Sequence, residues 1–361
     1  MHHHFHNPVK TVGGIGALAA LPGLLGERSA VLLTFPEAEP LGLLALLRKM
    51  LGYRLAAVFD GVAPNPDIAE LSALYPQVWQ HDGAEVLIAL GGGSVIDTAK
   101  AMLPGTASGR FDEIAALLRD GAAVQFPRRK TLIAVPTTAG TGSEVTPWAT
   151  VWDRERQRKH SLHLPAITWP EAAVVDPKTM QQLPQAVTLQ SGLDALSHAL
   201  EAIWNRNANA VSDALAVAAA REILATLPAL HRQPQDLQLR EAMALAALKA
   251  GLAFSNTRTA LAHSLSYPMT LRLGLPHGIA CSFTLPQVAR LAIGRDAARD
   301  AVLAQALGPL HDAPARLEAF LRDLGVKTNF ADYGIGEDEA AAMFDEALRG
   351  DRGRNFIGVA A

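Results

Sequence analysis

The stretch EVLIALGGGSVIDTAK (Glu85–Lys100) decides the fold. Its opening residues are a compact apolar run of strand length, the kind buried on both faces of a parallel sheet. Three glycines then turn the chain into a segment with helical patterning, Val95–Met102. Glycine lets a backbone come close to a diphosphate, and a helix N-terminus offers free N–H groups and the positive end of a dipole. The spacing departs from G-x-G-x-x-G, so this is not the common dinucleotide fingerprint, and tight packing is an alternative reason for the glycines.

Working outward, the same alternation recurs. A short strand and a glycine-rich turn (Gly13, Gly14, Gly16) lead to a helix around Ala17–Leu25 and a strand at Ala30–Thr34. Ala38–Leu51 is helical, Arg54–Phe59 a strand, Asp60–Pro66 a breaker, and Ile68–Tyr75 a helix. Strands follow at Thr131–Val135 and Ala172–Val175, closed by Asp176-Pro177. Strands alternating with helices predict a doubly wound parallel sheet. Near Leu183–Pro184 the texture changes to Ala- and Leu-rich helical periods at Ala210–Leu227, Leu239–Phe254, Ile279–Ala292 and Ala313–Leu324. The expectation is two domains: an α/β domain over 1–183 and an all-α domain over 184–361.

With 361 residues, 49% of them hydrophobic, the chain can bury one large core or two ordinary ones. A net charge of −3 without a basic block argues against nucleic acid as a partner. The single cysteine, Cys281, excludes an internal disulfide framework and suits a reducing compartment. No apolar run reaches membrane-spanning length and no signal-peptide pattern opens the chain, so a cytoplasmic protein is expected. The opening MHHHFHNP is read as a purification remnant or a strand start, and His2, His3, His4 and His6 are left out of any site.

Chemistry concentrates between Gln190 and Pro286. QSGLDALSHALEA (Gln190–Ala202) has its apolar residues at a helical period, placing Asp194 and His198 four residues apart on one side. TALAHSLSYP (Thr259–Pro268) carries His263, and LPHGIACSFTLP (Leu275–Pro286) carries His277 at a loop-to-helix entry. One carboxylate and three imidazoles suffice for a divalent transition metal. By spacing alone, a hydrogen-bonded Asp–His pair and core histidines remain alternatives. Glu201, one turn beyond His198, reads either as orienting a ligand or as a solvated helix residue.

In order and separation, D-A-L-S-H-A-L-E, A-H-S-L-S-Y-P and P-H-G resemble the iron-containing (group III) alcohol dehydrogenases, over nearly the whole chain. The resemblance implies a dehydroquinate synthase-like architecture and metal ligands at Asp194, His198, His263 and His277, with Fe(II) expected and Zn(II) as the second choice. It implies NAD(H) or NADP(H) on three segments: Val58–Pro66, the glycine turn, and PTTAGTGSEV (Pro136–Val145). Gly92, Gly93 and Ser94 fall on the diphosphate, with Asn65, Asp97, Thr137, Thr138, Thr141 and Lys159 along the ribose and nicotinamide. Turn and cap chemistry is the alternative for Thr137 and Thr138. The implied reaction is hydride transfer to a metal-polarised small aldehyde in an interdomain cleft, by a protein that, like its relatives, would form a homodimer. A dehydroquinate-synthase-type lyase is the rival of the same architecture, but it needs a Lys/Arg-rich pocket that is not seen around the ligands.

Three departures bear on specificity. Where NAD-preferring members tend to carry an acid, this chain reads Thr34-Phe-Pro-Glu37, leaving NAD and NADP both open. Tyr267 stands where many relatives have a histidine near the nicotinamide, and a phenol is a poor base at neutral pH. Arg258 precedes His263 by five residues; if the run is one helix it could reach the cleft edge with a fork of donors suited to a phosphonate, and pairing with an acidic surface residue or a dimer neighbour is the alternative. The run NTRTALAHSLSYP, with the HNPV start, resembles the phosphonate-metabolism-associated branch of the family. That implies phosphonoacetaldehyde reduced to 2-hydroxyethylphosphonate, with a general lactaldehyde- or propanediol-type oxidoreductase as the alternative.

Overall fold

The computed structural model describes residues 4–358 and divides the chain into two compact units. His2 and His3 lie outside the described residues. One unit comprises Pro8–Thr138 and Ser143–Gln182; the other takes residues up to Asn7, Ala139–Gly142 and Leu183 onward. Residues up to Asn7 and 139–142, which the expected division at 183 leaves in the α/β domain, group with the helical unit.

The first unit is built on six parallel strands: β1 (Lys10–Gly13), β2 (Ala30–Thr34), β3 (Leu55–Phe59), β4 (Val86–Gly91), β5 (Thr131–Pro136) and β6 (Ala172–Val175). Their order is β1-β6-β5-β4-β2-β3. Alternate residues of the central strands feed two cores. Leu32, Val86, Ile88 and Ile133 pack with Leu21, Leu44 and Leu47 on one face, while Val31, Leu87, Ala89 and Leu132 pack with Tyr75, Ile96 and Ile114 on the other. Covering on both faces is why β4 reads as an unbroken apolar run. The chain adds β3 on one side of β2 and β4 on the other, so the order reverses at β4. The carboxyl end of such a switch point is where doubly wound sheets bind ligands, and here it carries Gly91–Ser94.

Most strands fall where the sequence places them. The helix after the glycine turn, Gly93–Met102, begins two residues earlier than its apolar pattern because glycines and Ser94 already adopt the helical turn. An antiparallel hairpin, Trp148–Asp153 with Arg158–His163, is not in the sequence reading. Its charged tip, DRERQ, hides the alternation that marks a strand.

The second unit is helical, with no sheet strand among its described residues. Its helices are α1 (Gln185–Ile203), α2 (Ala210–Arg232), α3 (Leu237–Thr257), α4 (Leu261–Leu273), α5 (His277–Ser282), α6 (Leu285–Ala292), α7 (Ala297–Leu307), α8 (Ala313–Asp323) and α9 (Glu337–Arg349). Asn209 and Ser212 form a reciprocal capping box on α2, and Asp236 and Asp296 cap α3 and α7. The core runs along α1, which is buried on every side from Gly192 to Ile203. The predicted helix Ile279–Ala292 is two helices, α5 and α6, because Pro286 sits in the first turn of α6 and cannot continue a ladder from α5. Among the described residues no helix is long and apolar enough to cross a membrane.

Candidate metal centre and nucleotide turn

On a helix buried all round, Asp194 and His198 have little contact with water: they are 4% and 5% exposed. Charged and polar groups placed so deep need partners. His198 Nε2 is 4.0 Å, His263 Nε2 3.4 Å and His277 Nε2 3.9 Å from Asp194 Oδ1. Neither Asp194 Oδ1 nor His263 Nε2 makes a hydrogen bond, although both are buried. All three imidazoles thus approach Asp194 Oδ1, His198 at the longest distance and outside the tighter group that Asp194, His263 and His277 form.

Each imidazole is oriented by its other nitrogen. His198 Nδ1 donates to the Gly140 carbonyl at 3.3 Å, and His263 Nδ1 donates to Glu201 Oε2 at 2.6 Å. Ser266 gives its hydroxyl proton to the His263 carbonyl and faces His277 Nδ1 at 3.4 Å as acceptor. All three rings then turn Nε2 toward Asp194, the arrangement that second-sphere acceptors impose on metal-binding histidines. Glu201 is fully buried and also accepts from the Ala260 and His263 backbone N–H groups. Of its two sequence readings, the solvated one is excluded.

The electrostatics fit a cation. Burial alone would raise the Asp194 carboxyl, but His198, His263 and His277 together hold it well below the usual carboxylate range. Burial, with His263 alongside, pushes His198 down to about 4 against the pull of Asp194, so this ring is neutral at pH 7 and free to ligate. Burial also opposes charge on His263, yet Cys281, Glu201 and Asp194 outweigh it and raise its pKa. A pocket that draws a proton onto His263 Nε2 will equally draw a divalent metal there.

Two neighbours were not read from sequence. Cys281, one helical turn after His277 on α5, has its Sγ 3.7 Å from His277 Nε2, and Asp194, His263, His277 and Cys281 offer donor atoms within 4.8 Å of one another. Phe254 stacks on His198 with centroids 4.1 Å apart. Glycine makes the close approach possible. A Cβ on Gly278 would lie 1.9 Å from the Gln190 carbonyl oxygen, so α5 can bring His277 to α1 only because residue 278 lacks a side chain.

Tyr267 lies parallel to His277, with ring centroids 6.3 Å apart. Arg258 corrects an expectation. The run before His263 is not one helix: α3 ends at Thr257, Arg258 has φ of 66°, and α4 starts at Leu261. The left-handed residue is held by its N–H donating to the Phe254 carbonyl and by Asn205 Nδ2 donating to its carbonyl. Its side chain is exposed, and the argument from helical rotation does not apply.

In the α/β unit, Gly92 caps its helix without a side chain, and the Asn65 N–H donates to Ser94 Oγ at 3.0 Å. Asn65 has φ of 61°. The Thr137 N–H donates to the Gly91 carbonyl, and a Cβ on Gly92 would meet Thr138 at 3.2 Å. The turn, Asn65 and both threonines therefore adjoin. Thr141 is grouped with the helical unit. Asp97 accepts from Ser143 Oγ and the Thr150 N–H; burial raises its pKa against Lys100, these hydrogen bonds and Lys159. Lys159 lies over the Trp152 ring at 5.5 Å. Sequence reading missed Lys100, which is fully buried and donates to Ser143 Oγ and the Trp148 carbonyl.

A doubly wound nucleotide-type unit and a helical unit with an Asp–His cluster define a class, and the comparisons identify it. Residues 8–177 match the iron-containing alcohol dehydrogenase model, and residues 188–356 that of the C-terminal region of the Fe-containing alcohol dehydrogenase family. The chain belongs to this family, and is an oxidoreductase of the iron-type alcohol dehydrogenase and aldehyde reductase kind with a dehydroquinate synthase-like fold. It is 32% identical over 348 residues to lactaldehyde reductase of Escherichia coli strain K12, covering 93% of this chain and 90% of that one. It is 33% identical over 303 residues to the NAD-dependent methanol dehydrogenase of Bacillus methanolicus, covering 81% and 78%. Among solved structures, sulfoacetaldehyde reductase from Bifidobacterium kashiwanohense in complex with NAD+ superposes with a TM-score of 0.90 at 27% identity, covering 99% of this chain and 94% of that one.

Proposed function

We infer that this chain reduces a small anionic aldehyde, phosphonoacetaldehyde, to 2-hydroxyethylphosphonate. A divalent metal, iron by family and zinc as the second choice, would be held by Asp194, His198, His263 and His277. When bound, the metal supplies a Lewis acid for the carbonyl and the nicotinamide cofactor supplies hydride. The observation that carries the ligand set is the pair of unbonded buried atoms, Asp194 Oδ1 and His263 Nε2, with three imidazoles oriented through Nδ1.

The protein's own residues do the rest. Glu201 fixes His263, Gly140 fixes His198 and Ser266 fixes His277. Tyr267, beside His277, contacts the substrate or relays a proton to the alkoxide. Gly92, Gly93 and Ser94 receive the diphosphate, and Asn65, Asp97, Thr137, Thr138, Thr141 and Lys159 contact the ribose and nicotinamide. The cofactor is NAD(H) or NADP(H): Thr34 spends its hydroxyl on the Leu90 carbonyl, and Glu37 is exposed beyond it. The branch resemblance supports the phosphonate, as does likeness to a reductase of sulfoacetaldehyde, another two-carbon aldehyde with a tetrahedral anion. The likeness to lactaldehyde reductase favours a second reading, a general short-chain aldehyde reductase.

The test is an aldehyde panel with NADH and NADPH on protein loaded separately with iron and zinc. A kcat/KM for phosphonoacetaldehyde at least tenfold above propionaldehyde and lactaldehyde is expected. No preference for the anionic aldehyde leaves the general reductase.

A further inference from the structure

Arg352 lies in the turn after α9, half-buried, with its guanidinium 4.8 Å over the centre of the Tyr267 ring. Tyr267 in turn lies parallel to His277, the candidate ligand with the most exposed side chain, at 35% against 4–6% for the others. Arg352 Nε donates to Thr259 Oγ1 at 3.1 Å, which fixes the plane of the fork. Among the described residues neither terminal nitrogen of Arg352 has a hydrogen-bond or ion-pair partner. The adjacent acid, Asp351, is engaged by Arg354 instead. A guanidinium stacked, oriented at one nitrogen and unspent at the other two is built to receive a bidentate oxyanion.

The surrounding segments hold this geometry. Asn355 Nδ2 donates to the Thr259 carbonyl, Asn207 Nδ2 to the Thr257 carbonyl, and the Arg206 N–H to the Asn355 carbonyl. The turn carrying Arg352 is thereby tied to the break that carries Arg258. Two arginines from distant parts of the sequence flank Thr259, four residues before His263.

We propose that Arg352, seated on Tyr267 next to His277, is the residue that recognises the anionic end of the substrate. The ligand chemistry is a tetrahedral oxyanion, phosphonate or sulfonate, on a short aldehyde. This rests on the reading of the helical unit as the site of an aldehyde reductase for anionic substrates. Because the fork is held before substrate arrives, little ordering is lost on binding. Arg352 is a specificity residue, since nothing places it at the carbonyl.

The experiment compares phosphonoacetaldehyde, sulfoacetaldehyde and propionaldehyde in wild type, Arg352→Ala, Arg352→Lys and Arg258→Ala, with metal content measured for each. Arg352→Ala should lose roughly ten- to a hundredfold in kcat/KM for the anionic aldehydes, mostly through KM, as expected for a charge-assisted hydrogen bond. Propionaldehyde should change by no more than about threefold, and Arg352→Lys should recover part of the loss. Methylphosphonate should inhibit propionaldehyde reduction in wild type and not in Arg352→Ala. Whichever anion wild type prefers decides between phosphonate and sulfonate. Retained anion preference in Arg352→Ala, or equal loss for charged and uncharged aldehydes, overturns the assignment; selective loss in Arg258→Ala alone moves the role there. A wild type indifferent to the anion brings down the proposed function and this inference together.

Discussion

Glu201 carries more of the metal centre than its place in the sequence suggests. It is a fully buried carboxylate whose two oxygens take three donors, one of them the Nδ1–H that aims His263. Burial raises its pKa, but His263 and the backbone donors lower it further, so it stays ionised and adds a second negative charge beside Asp194. Glu201→Gln keeps the shape and removes that charge. Metal affinity, read by competition with a chromogenic chelator, should weaken by about ten- to a hundredfold. Nucleotide binding should be unchanged, because the glycine turn belongs to the other unit. Metal affinity equal to wild type would reduce Glu201 to a brace between α1 and the start of α4. Sequence spacing marked Glu201 as a neighbour of His198 but gave no sign of burial, because a helix wrapped on every side has no polar face to read. Cys281 was read only as a sign of redox compartment, since its nearness to Asp194 depends on how α5 packs on α1.

At the scale of elements, the parallel strands were legible, whereas the hairpin and the helix breaks were not. β2 and β6 coincide with their sequence spans because a two-sided core demands unbroken apolar runs bounded by turn residues. The α3–α4 break has no glycine or proline to announce it. It rests on Asn205 and Asn207 reaching across from the end of α1, a tertiary cause. That is why Arg258 was misplaced by a helical extrapolation. The α5–α1 contact is similar: P-H-G reads as a loop-to-helix entry, yet its Gly278 serves a close approach. Gly278→Ala sets a methyl against the Gln190 backbone, which has no side chain to swing aside. A cost of about 1–3 kcal/mol is expected for such overpacking. It should appear as a lowered thermal midpoint together with loss of stoichiometric metal by elemental analysis. Full metal at an unchanged midpoint would show that α5 can shift without moving His277.

For the whole molecule, metal binding, protonation and folding of the helical unit are linked, since ligands must shed their protons to bind metal. His198, lowered to about 4, and Asp194, held below the usual range, release none near neutral pH. His263 is different. Its pKa in the metal-free protein is raised, so it holds its proton to higher pH than an ordinary imidazole, and metal must displace that proton. The sign follows. Apparent metal affinity rises with pH, by about tenfold per unit for each proton displaced, until His263 deprotonates by itself. In the metal-free protein His263 acts in the opposite sense. Its raised pKa contributes stability that is fully present below about 6.5 and is lost as pH rises through the folded value, whereas the lowered His198 contributes stability that is lost as pH falls from 6.5 toward 4. Metal-induced stabilisation should therefore grow from pH 6.5 to 8.5, because the rival proton leaves as the metal gains. Isothermal titration in two buffers of different ionisation enthalpy counts the protons directly. One proton released near pH 7.5 is expected from His263. Two would add the Cys281 thiol, whose pKa is raised chiefly by burial, as a further donor to the metal. Release of none, with affinity flat in pH, would mean that His263 is already neutral and that its short contact with Glu201 does not hold a charge.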